Sequence, residues 1–152
     1  YESPKLGSSG CTVKSCSEAI LNIGNPAIWW AFIPAIIVAL LVLLLKRDWR
    51  FGALLVVFGA GYFPWFMYPT RTMFYFYALS FEPFLILLLA GVLGLALSGA
   101  RGSVLRARLG VTLVAIYLVG VLMLSAYFMP LWTAQVIPYE QWYSHMWFKS
   151  WI

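Results

Sequence analysis

Residues 68–84, which read YPTRTMFYFYALSFEPF, contain the charged side chains with the clearest chemical use. Tyr75, Ala78 and Glu82 recur at helical spacing, so they share one face of a predicted helix. Arg71 precedes them at the outer mouth of that helix, and Glu82 lies roughly 10–15 Å along it at about 1.5 Å per residue. The pattern predicts a stripe with a cation at the membrane interface and an acid within the hydrocarbon.

Each of these charges has two interpretations. The Arg71 guanidinium could snorkel to lipid headgroups, or its forked donors could bind the phosphate of a lipid-linked substrate. Glu82 could be a protonated or paired carboxyl that stabilises helix packing, because Pro83 frees a backbone carbonyl one turn earlier. Glu82 could instead line a substrate cavity, since a carboxylate in hydrocarbon needs a partner, a proton or water. Both residues are candidate substrate-binding residues.

Known catalytic and metal-binding patterns are absent from the sequence. It contains no Ser/His/Asp set, no HExxH motif, no P-loop and no neighbouring carboxylates on the predicted outer face. Glu18 and Glu140, the acids near the first and last outer boundaries, fit surface positions at helix starts. We therefore predict no catalytic residue, no metal site and no cofactor in this chain, and the general base of an enzyme would lie outside it.

Two cysteines, Cys11 and Cys16, lie in the polar N-terminal tail with four residues between them. This spacing can close a small disulfide loop in an oxidising compartment, which is the interpretation we favour over free thiols. A zinc site would need two more ligands, and the only histidine, His145, lies at the other end of the chain. A redox motif would normally have two intervening residues.

The elements that must position these residues follow from an apolar composition. Of the 152 residues, 63% are hydrophobic and 10% charged, and the mean hydropathy is +0.87. A water-soluble fold of this size could not hide so much apolar surface. Runs close to the roughly 20 residues that cross a hydrocarbon core predict an all-α integral membrane domain over residues 27–128. Its four predicted transmembrane helices are residues 27–45, 51–68, 73–97 and 109–128.

The second of these runs is the shortest and is interrupted by Gly59, Gly61 and Pro64. A buried core helix is its alternative interpretation. If the second run did not cross the membrane, however, the loops of the neighbouring spans would lie on the wrong faces of the membrane. We therefore predict four crossings.

The positions of the cations predict the orientation of these spans. The first and third breaks share one face and carry six cations: Lys46, Arg47, Arg50, Arg101, Arg106 and Arg108. The opposite face receives four: Lys5, Lys14, Arg71 and Lys149. Positive loops stay cytoplasmic, so the sequence predicts a multi-pass plasma membrane protein whose tails, residues 1–26 and 129–152, are both extracytoplasmic. The loops also explain the net charge of +5, and without a clustered basic face no nucleic-acid partner is expected.

The C-terminal tail, residues 129–152, shows the pattern of an amphipathic helix. Its aromatic and apolar residues recur at helical spacing, and its polar residues fall largely on the other side. The aromatic and apolar set is Tyr139, Trp142, Tyr143, Met146, Trp147 and Trp151, and the polar set is Glu140, Gln141, Ser144, His145 and Lys149. Trp and Tyr prefer the headgroup layer. We expect this tail to anchor in membrane lipids at the outer surface, with a substrate-facing role as the alternative.

The first residues lack both an initiator methionine and the basic start and apolar core of a signal peptide. We interpret the chain as the C-terminal part of a longer protein. Processing of a complete short protein would look the same.

Several motifs together resemble the C-terminal four-span region of bacterial, especially actinobacterial, protein O-mannosyltransferases. Basic loops that join the spans belong to the same family pattern. The motifs are GNPAIWW at residues 24–30, RDWR at 47–50, GYFPWF at 61–66, RTMFYFYALSFEPF at 71–84, PLW at 130–132 and the closing MWFKSWI.

The resemblance implies a multi-span glycosyltransferase fold of the C type and an inverting reaction. Such enzymes transfer mannose from polyprenyl-phosphate mannose to Ser or Thr hydroxyls of polypeptides exported across the plasma membrane. Their catalytic acid lies in the first outer loop, so the partner of this chain would be the N-terminal catalytic half of the same protein.

The resemblance also implies roles for individual residues. Arg71, Tyr75 and Tyr77 would face the donor, and Asn25 and Trp29 would lie near the outer end of the first span. Eukaryotic members tend to have a His between the two tyrosines, where this chain has Phe76. A direct polar role at that position is therefore not expected.

Two other classes compete with this hypothesis. A non-catalytic membrane scaffold that packs against partner transmembrane helices is the runner-up. A transporter or channel is less favoured, since one intramembrane acid makes a poor ion pathway and no paired repeat is visible.

Overall fold

The computed structural model describes residues 15–68, 70–71, 74–98 and 103–151. The chain divides into two compact units: unit 1 contains Tyr1–Asn25 and Val121–Ile152, and unit 2 contains Pro26–Gly120. The described elements are mostly helical. They are β1 (Cys16–Ser17), α1 (Pro26–Lys46), α2 (Trp49–Tyr62), α3 (Glu82–Ser98), α4 (Val104–Trp132), β2 (Ile137–Pro138), α5 (Tyr139–Ser144) and 3₁₀ segments at Phe63–Met67, Tyr75–Ser80 and Lys149–Trp151.

Three described helical segments are long and apolar enough to cross a membrane. They are Pro26–Lys46 and Val104–Trp132, together with Trp49–Met67, in which α2 continues into a 3₁₀ segment. Each coincides with one of the predicted spans, so the helical membrane class is confirmed. The second run is a bilayer-length helix because the 3₁₀ segment extends α2 through Pro64.

The third predicted span, residues 73–97, is not one continuous α-helix. α3 begins at Glu82 and has 17 residues, and Tyr75–Ser80 before it is a 3₁₀ segment. Pro83 accounts for the break, because it lacks an amide donor and its ring clashes with the carbonyl four residues earlier, whereas a helix tolerates proline in its first turn. The predicted position of Glu82 partway along a continuous helix is therefore wrong, since Glu82 is the first residue of α3, whereas its depth in the membrane stays a prediction. With 17 residues, α3 is about 25 Å long, which is short for a membrane crossing. The third membrane crossing therefore stays a prediction.

Unit 2 is built on the mutual packing of α1, α2 and α3. One cluster of buried side chains comprises Ala35, Ala39, Val42, Phe51 and Leu88. A second comprises Phe32, Phe81 and Leu85. The start of α1, the end of α2 and the start of α3 thus meet at one end of the unit.

The short β-sheet of unit 1 departs from the all-α prediction. β1 and β2 pair antiparallel, with Cys16 opposite Pro138 and Ser17 opposite Ile137, and the Tyr139 amide donates to the Ser15 carbonyl at 3.1 Å. Pairing supplies backbone partners to two segments that are not helical. Cys16 is buried, and no cysteine in the described part of the chain is free. Cys11 lies outside the described residues, so the Cys11–Cys16 disulfide stays a prediction.

The C-terminal tail is not one amphipathic helix. α5 has six residues, and a further 3₁₀ segment at Lys149–Trp151 follows a break. Trp142 and Met146 are buried while Tyr139 and Tyr143 are exposed. The aromatic residues therefore divide between an internal core and an outer surface instead of forming one face.

His145 is buried, with 1% of its surface exposed, although the helical pattern placed it among the polar, outward residues. Its Nδ1 lies 2.6 Å from the carbonyl oxygen of Gln141 and its Nε2 lies 2.9 Å from that of Tyr127. The imidazole also stacks on the Tyr127 ring, with centroids 4.2 Å apart. Both partners are carbonyl oxygens, which only accept, so a ring N–H donates to at least one of them according to the tautomer, and this bond offsets the cost of burial.

The C-terminal end of α4 is closed by a residue in the left-handed region. Ala134 has φ 52°, and the amide of Gln135 donates to the carbonyl of Pro130 at 3.0 Å. This six-residue ring is the Schellman arrangement, in which glycine avoids the steric cost that a Cβ incurs.

Ala134→Gly should raise the free energy of unfolding by about 1 kcal/mol, since it relieves a left-handed alanine. Ala126→Gly, at an exposed interior position of α4, is the matched control and should lower it by about 1 kcal/mol. Thermal unfolding in detergent measures both. An equal loss in the two variants would contradict the assignment of the cap.

Candidate functional site

The candidate site lies at the end of unit 2 where α1 begins, α2 ends and α3 begins. We call it the aromatic end and define it by Trp29, Phe32, Phe58, Tyr62 and Phe81, whose side chains share one cluster. The Phe81 ring meets those of Phe58 and Tyr62 edge-on, at centroid distances of 5.7 and 5.6 Å. This end is a packed aromatic wall, because edge-to-face contacts of this kind lock the rings against one another.

Gly61 permits the close approach of α2 to the start of α3. A Cβ built at Gly61 would lie 3.0 Å from the Cβ of Phe81, at the lower limit of what packed side chains show. A larger residue there would push Phe81 away from Tyr62. The GYFPWF motif therefore contributes to the aromatic end in two ways: Gly61 leaves space for Phe81, and the Tyr62 ring packs against it.

Arg71 lies in the connection that leaves the aromatic end after α2 and returns to α3. Its backbone amide donates to the Tyr68 carbonyl at 3.1 Å, and its side chain is exposed. On the two sides of this connection, the rings of Trp65 and Tyr77 have their centroids 4.5 Å apart. Contact between these rings closes the connection into a loop, with Arg71 on it.

Tyr77 is half-buried, and its ring also lies 4.4 Å from that of Phe76. Tyr75 is the first residue of the 3₁₀ segment before α3. Its side chain is not among those that the structure describes. Because the segment is 3₁₀, Tyr75, Ala78 and Glu82 do not share the α-helical stripe that their spacing predicted.

Glu82 is half-buried and begins α3. Its neighbour Phe81 lies in the aromatic cluster, and so does Trp29, whose ring packs edge-on against Phe32 at 5.4 Å. A carboxylate in the first turn of a helix is stabilised by the helix dipole. Trp29 thus belongs to the aromatic end and Glu82 directly follows its Phe81, while their contact with a substrate stays a prediction.

Asn25 belongs to unit 1, and its amide is engaged within that unit. Nδ2 donates to the Val121 carbonyl at 2.9 Å and to Ser125 Oγ at 2.8 Å, both on α4. Asn25 is also buried. These bonds give Asn25 a structural role that the sequence pattern did not reveal, and its predicted contact with substrate stays a prediction.

No group of three or more His, Cys, Asp or Glu side chains that could hold a metal ion occurs among the described residues. In the described part of the stretch that joins the end of α2 to the start of α3, residues 63–82, the charged side chains are those of Arg71 and Glu82. Their chemistry suits binding of a charged group beside an apolar surface.

Sequence reasoning did not single out Trp65 as a site residue. Its signal was present in GYFPWF, where Pro64 is the second residue of the 3₁₀ segment that carries Trp65 toward Tyr77. Spacing alone could not reveal this contact, because the two rings belong to segments on opposite sides of a loop.

The described helices define a helical membrane protein, and known proteins narrow the class. The chain is 37% identical over 142 residues to the polyprenol-phosphate-mannose protein mannosyltransferase of Mycolicibacterium smegmatis, which covers 93% of this chain and 28% of that protein. The protein of the same name from Mycobacterium tuberculosis is 34% identical over 143 residues, 94% of this chain and 27% of its own length. The protein of that name from Corynebacterium glutamicum is 35% identical over 137 residues, which are 90% of this chain and 26% of that protein.

These matches confirm the predicted resemblance to a C-terminal part of actinobacterial protein mannosyltransferases. The chain spans about a quarter of the length of the curated relatives it matches, 28% in the M. smegmatis case. No protein-family model matches the chain, and no solved structure matches it.

Asn25→Leu should lower the free energy of unfolding by about 1–3 kcal/mol, because it removes a buried donor from two acceptors. Ser125→Ala removes one of those acceptors and should cost less, about 1 kcal/mol. Thermal unfolding in detergent compares them. A normal melting temperature combined with weakened donor binding in Asn25→Leu would favour the substrate role instead.

Proposed function

We propose that this chain is the C-terminal membrane portion of a polyprenyl-phosphate-mannose protein mannosyltransferase with a C-type glycosyltransferase fold. The whole enzyme transfers mannose to Ser or Thr hydroxyls of exported polypeptides. The observation that carries the proposal is the similarity of 93% of the chain to proteins of that name, 37% identical in the M. smegmatis case. The aromatic end and its Arg71 loop supply the physical basis.

The surface around Arg71 suits a prenyl phosphate. Phe63, Phe66, Met67 and Phe74 are exposed large apolar side chains of the two 3₁₀ segments and their flanks. A branched hydrocarbon chain can lie along this surface because each contact removes apolar area from water or headgroups. The Arg71 guanidinium would then meet the phosphate with its fork of donors.

The distribution of cations supports the membrane orientation on which this role depends. Lys46, Arg47 and Arg50 are exposed at the α1–α2 turn, and Arg106 and Arg108 are exposed at the start of α4. Within unit 2, the α1–α2 turn lies at the opposite end from the aromatic end. Positive loops are retained in the cytoplasm, so the Arg71 loop and both tails would be extracytoplasmic in a multi-pass plasma membrane protein.

In the reaction, the acceptor hydroxyl oxygen forms a bond to the anomeric carbon as the bond from that carbon to the phosphate oxygen breaks. The hydroxyl proton passes to a base in the N-terminal catalytic half. Arg71 would bind the phosphate and stabilise the charge that it gains as leaving group. Tyr75, Tyr77, Trp29 and Glu82 would line the donor side of the cavity.

Arg71→Ala in the whole enzyme should lower kcat/KM for the mannosyl lipid by about tenfold to a hundredfold, because it removes a charge-assisted contact to phosphate. Arg71→Lys should restore part of it, since a point charge replaces the fork. A membrane transfer assay with varied donor measures both. Arg108→Ala, an exposed arginine at the start of α4, is the control, and an Arg71→Ala enzyme as active as this control would refute the role.

Glu82→Gln should lower transfer by about tenfold if its carboxylate contacts substrate or the acceptor peptide, a loss typical of one charged contact. Its dipole contribution is only about 0.3–1 kcal/mol, so the melting temperature should change by about 1–4 °C. Glu140→Gln changes the same group in the first turn of α5 and should leave transfer unchanged. Full activity of the Glu82→Gln enzyme would refute the substrate contact and leave Glu82 only a structural role at the start of α3.

A further inference from the structure

An apolar groove of about 240 Å³ opens between α2 and α3, at the end of unit 2 opposite the aromatic end. Phe51 and Leu54 of α2 and Gly91, Gly94 and Leu95 of α3 line it. A Cβ built at Gly94 would meet no atom within 4 Å. The groove is therefore open at this glycine and has room for several carbon atoms, given the roughly 30 Å³ that one water molecule occupies in the liquid.

Positive charge is concentrated at one rim of the groove. Arg50 and Asp48 both line it, and Lys46 and Arg47 precede them in the exposed turn between α1 and α2. The only acid of this turn, Asp48, accepts the backbone amide of Arg50 at 3.1 Å and caps α2. One Asp48 carboxylate oxygen is therefore directed at the helix start, and with the Asp48 charge counted residues 46–50 keep a net charge of +2.

We propose that the groove binds a glycerophospholipid with an anionic headgroup. One acyl chain occupies the apolar channel over Gly94, and the phosphate meets the Arg50 guanidinium at the membrane interface. Basic pockets between transmembrane helices are suited to such headgroups, because the phosphate is attracted to the cations while the chain stays in hydrocarbon.

Charge favours a lipid over a protein segment as the occupant. The net charge of +2 on residues 46–50 attracts a phosphate group, whereas an apolar transmembrane segment offers no group that this charge would attract. The proposed lipid is distinct from the mannosyl donor, because the groove and the Arg71 loop lie at opposite ends of unit 2.

The test uses the protein purified from its native membrane into nanodiscs that contain a photoactivatable phosphatidylglycerol with the reactive group on its acyl chain. Crosslinked peptides are located by mass spectrometry. We expect labelling of α2 around Leu54 and of α3 around Gly94, and competition by unlabelled phosphatidylglycerol but not by phosphatidylcholine.

Two variants and two controls separate the groove from the general lipid surface. Gly94→Leu fills the channel and Arg50→Gln removes the rim charge, and each should reduce groove labelling by about fivefold or more. Gly120→Leu, whose added Cβ would also meet no atom within 4 Å, and Arg108→Gln should leave it unchanged. Since Gly94 is exposed on a helix, leucine there does not threaten folding.

Three results would overturn the proposal. Equal labelling by a phosphatidylcholine probe would show a groove without preference for anionic lipid. Unchanged labelling in Gly94→Leu and Arg50→Gln would show that the lipid binds elsewhere. Absence of groove labelling, with α4 labelled normally, would show that another polypeptide segment covers the groove.

Discussion

The packing of Phe81 against the end of α2 is the contact on which the candidate site depends. Phe81 is buried, its ring meets those of Phe58 and Tyr62, and Gly61 gives it space. The Phe81 carbonyl accepts the amides of Phe84 and Leu85 at 3.1 and 3.2 Å, so the same residue starts α3. Because Phe81 both starts one helix and packs on another, it determines where the chain between them must run, and thereby confines Arg71 to the aromatic end.

Unit 2 has a charged surface at each end, around Arg71 and around Arg50, and apolar packing between them. At one end, Arg71 lies on a loop beside exposed aromatic rings. At the other end, Arg50 lies at the rim of an apolar groove. In a bilayer, cations are stable at the headgroup level and costly in between. Both ends therefore have the chemistry of a phosphate bound beside a hydrocarbon chain, and our two proposals assign them to different lipids.

The polar residues of unit 1 serve mainly to hold its backbone together. Asn25 bonds to α4, His145 lies between two carbonyl oxygens, and the Trp132 indole donates to the Ile23 carbonyl at 2.7 Å. A buried polar group without a partner is costly, so each such bond specifies one arrangement of the tails. These residues would look like site or surface residues from their types alone.

The apolar composition by itself determined that the chain forms bilayer-length helices, since the bilayer core requires runs of about 20 apolar residues whose backbone groups bond internally. That requirement is local, so Pro26–Lys46, Trp49–Met67 and Val104–Trp132 could be predicted within a few residues. The resemblance to mannosyltransferases was also readable from motifs. The start of α3 was misjudged because the helical period of residues 71–82 outweighed the local signal from Pro83.

Only the tertiary structure decided which side chains meet. The Trp65–Tyr77 contact, the burial of His145 and the pairing of Cys16–Ser17 with Ile137–Pro138 all join segments distant in the chain. Hydropathy and spacing describe each segment relative to solvent and to its own neighbours. They carry no information on which buried carbonyl or ring a given side chain finds, because that depends on how separate helices and loops fill shared space.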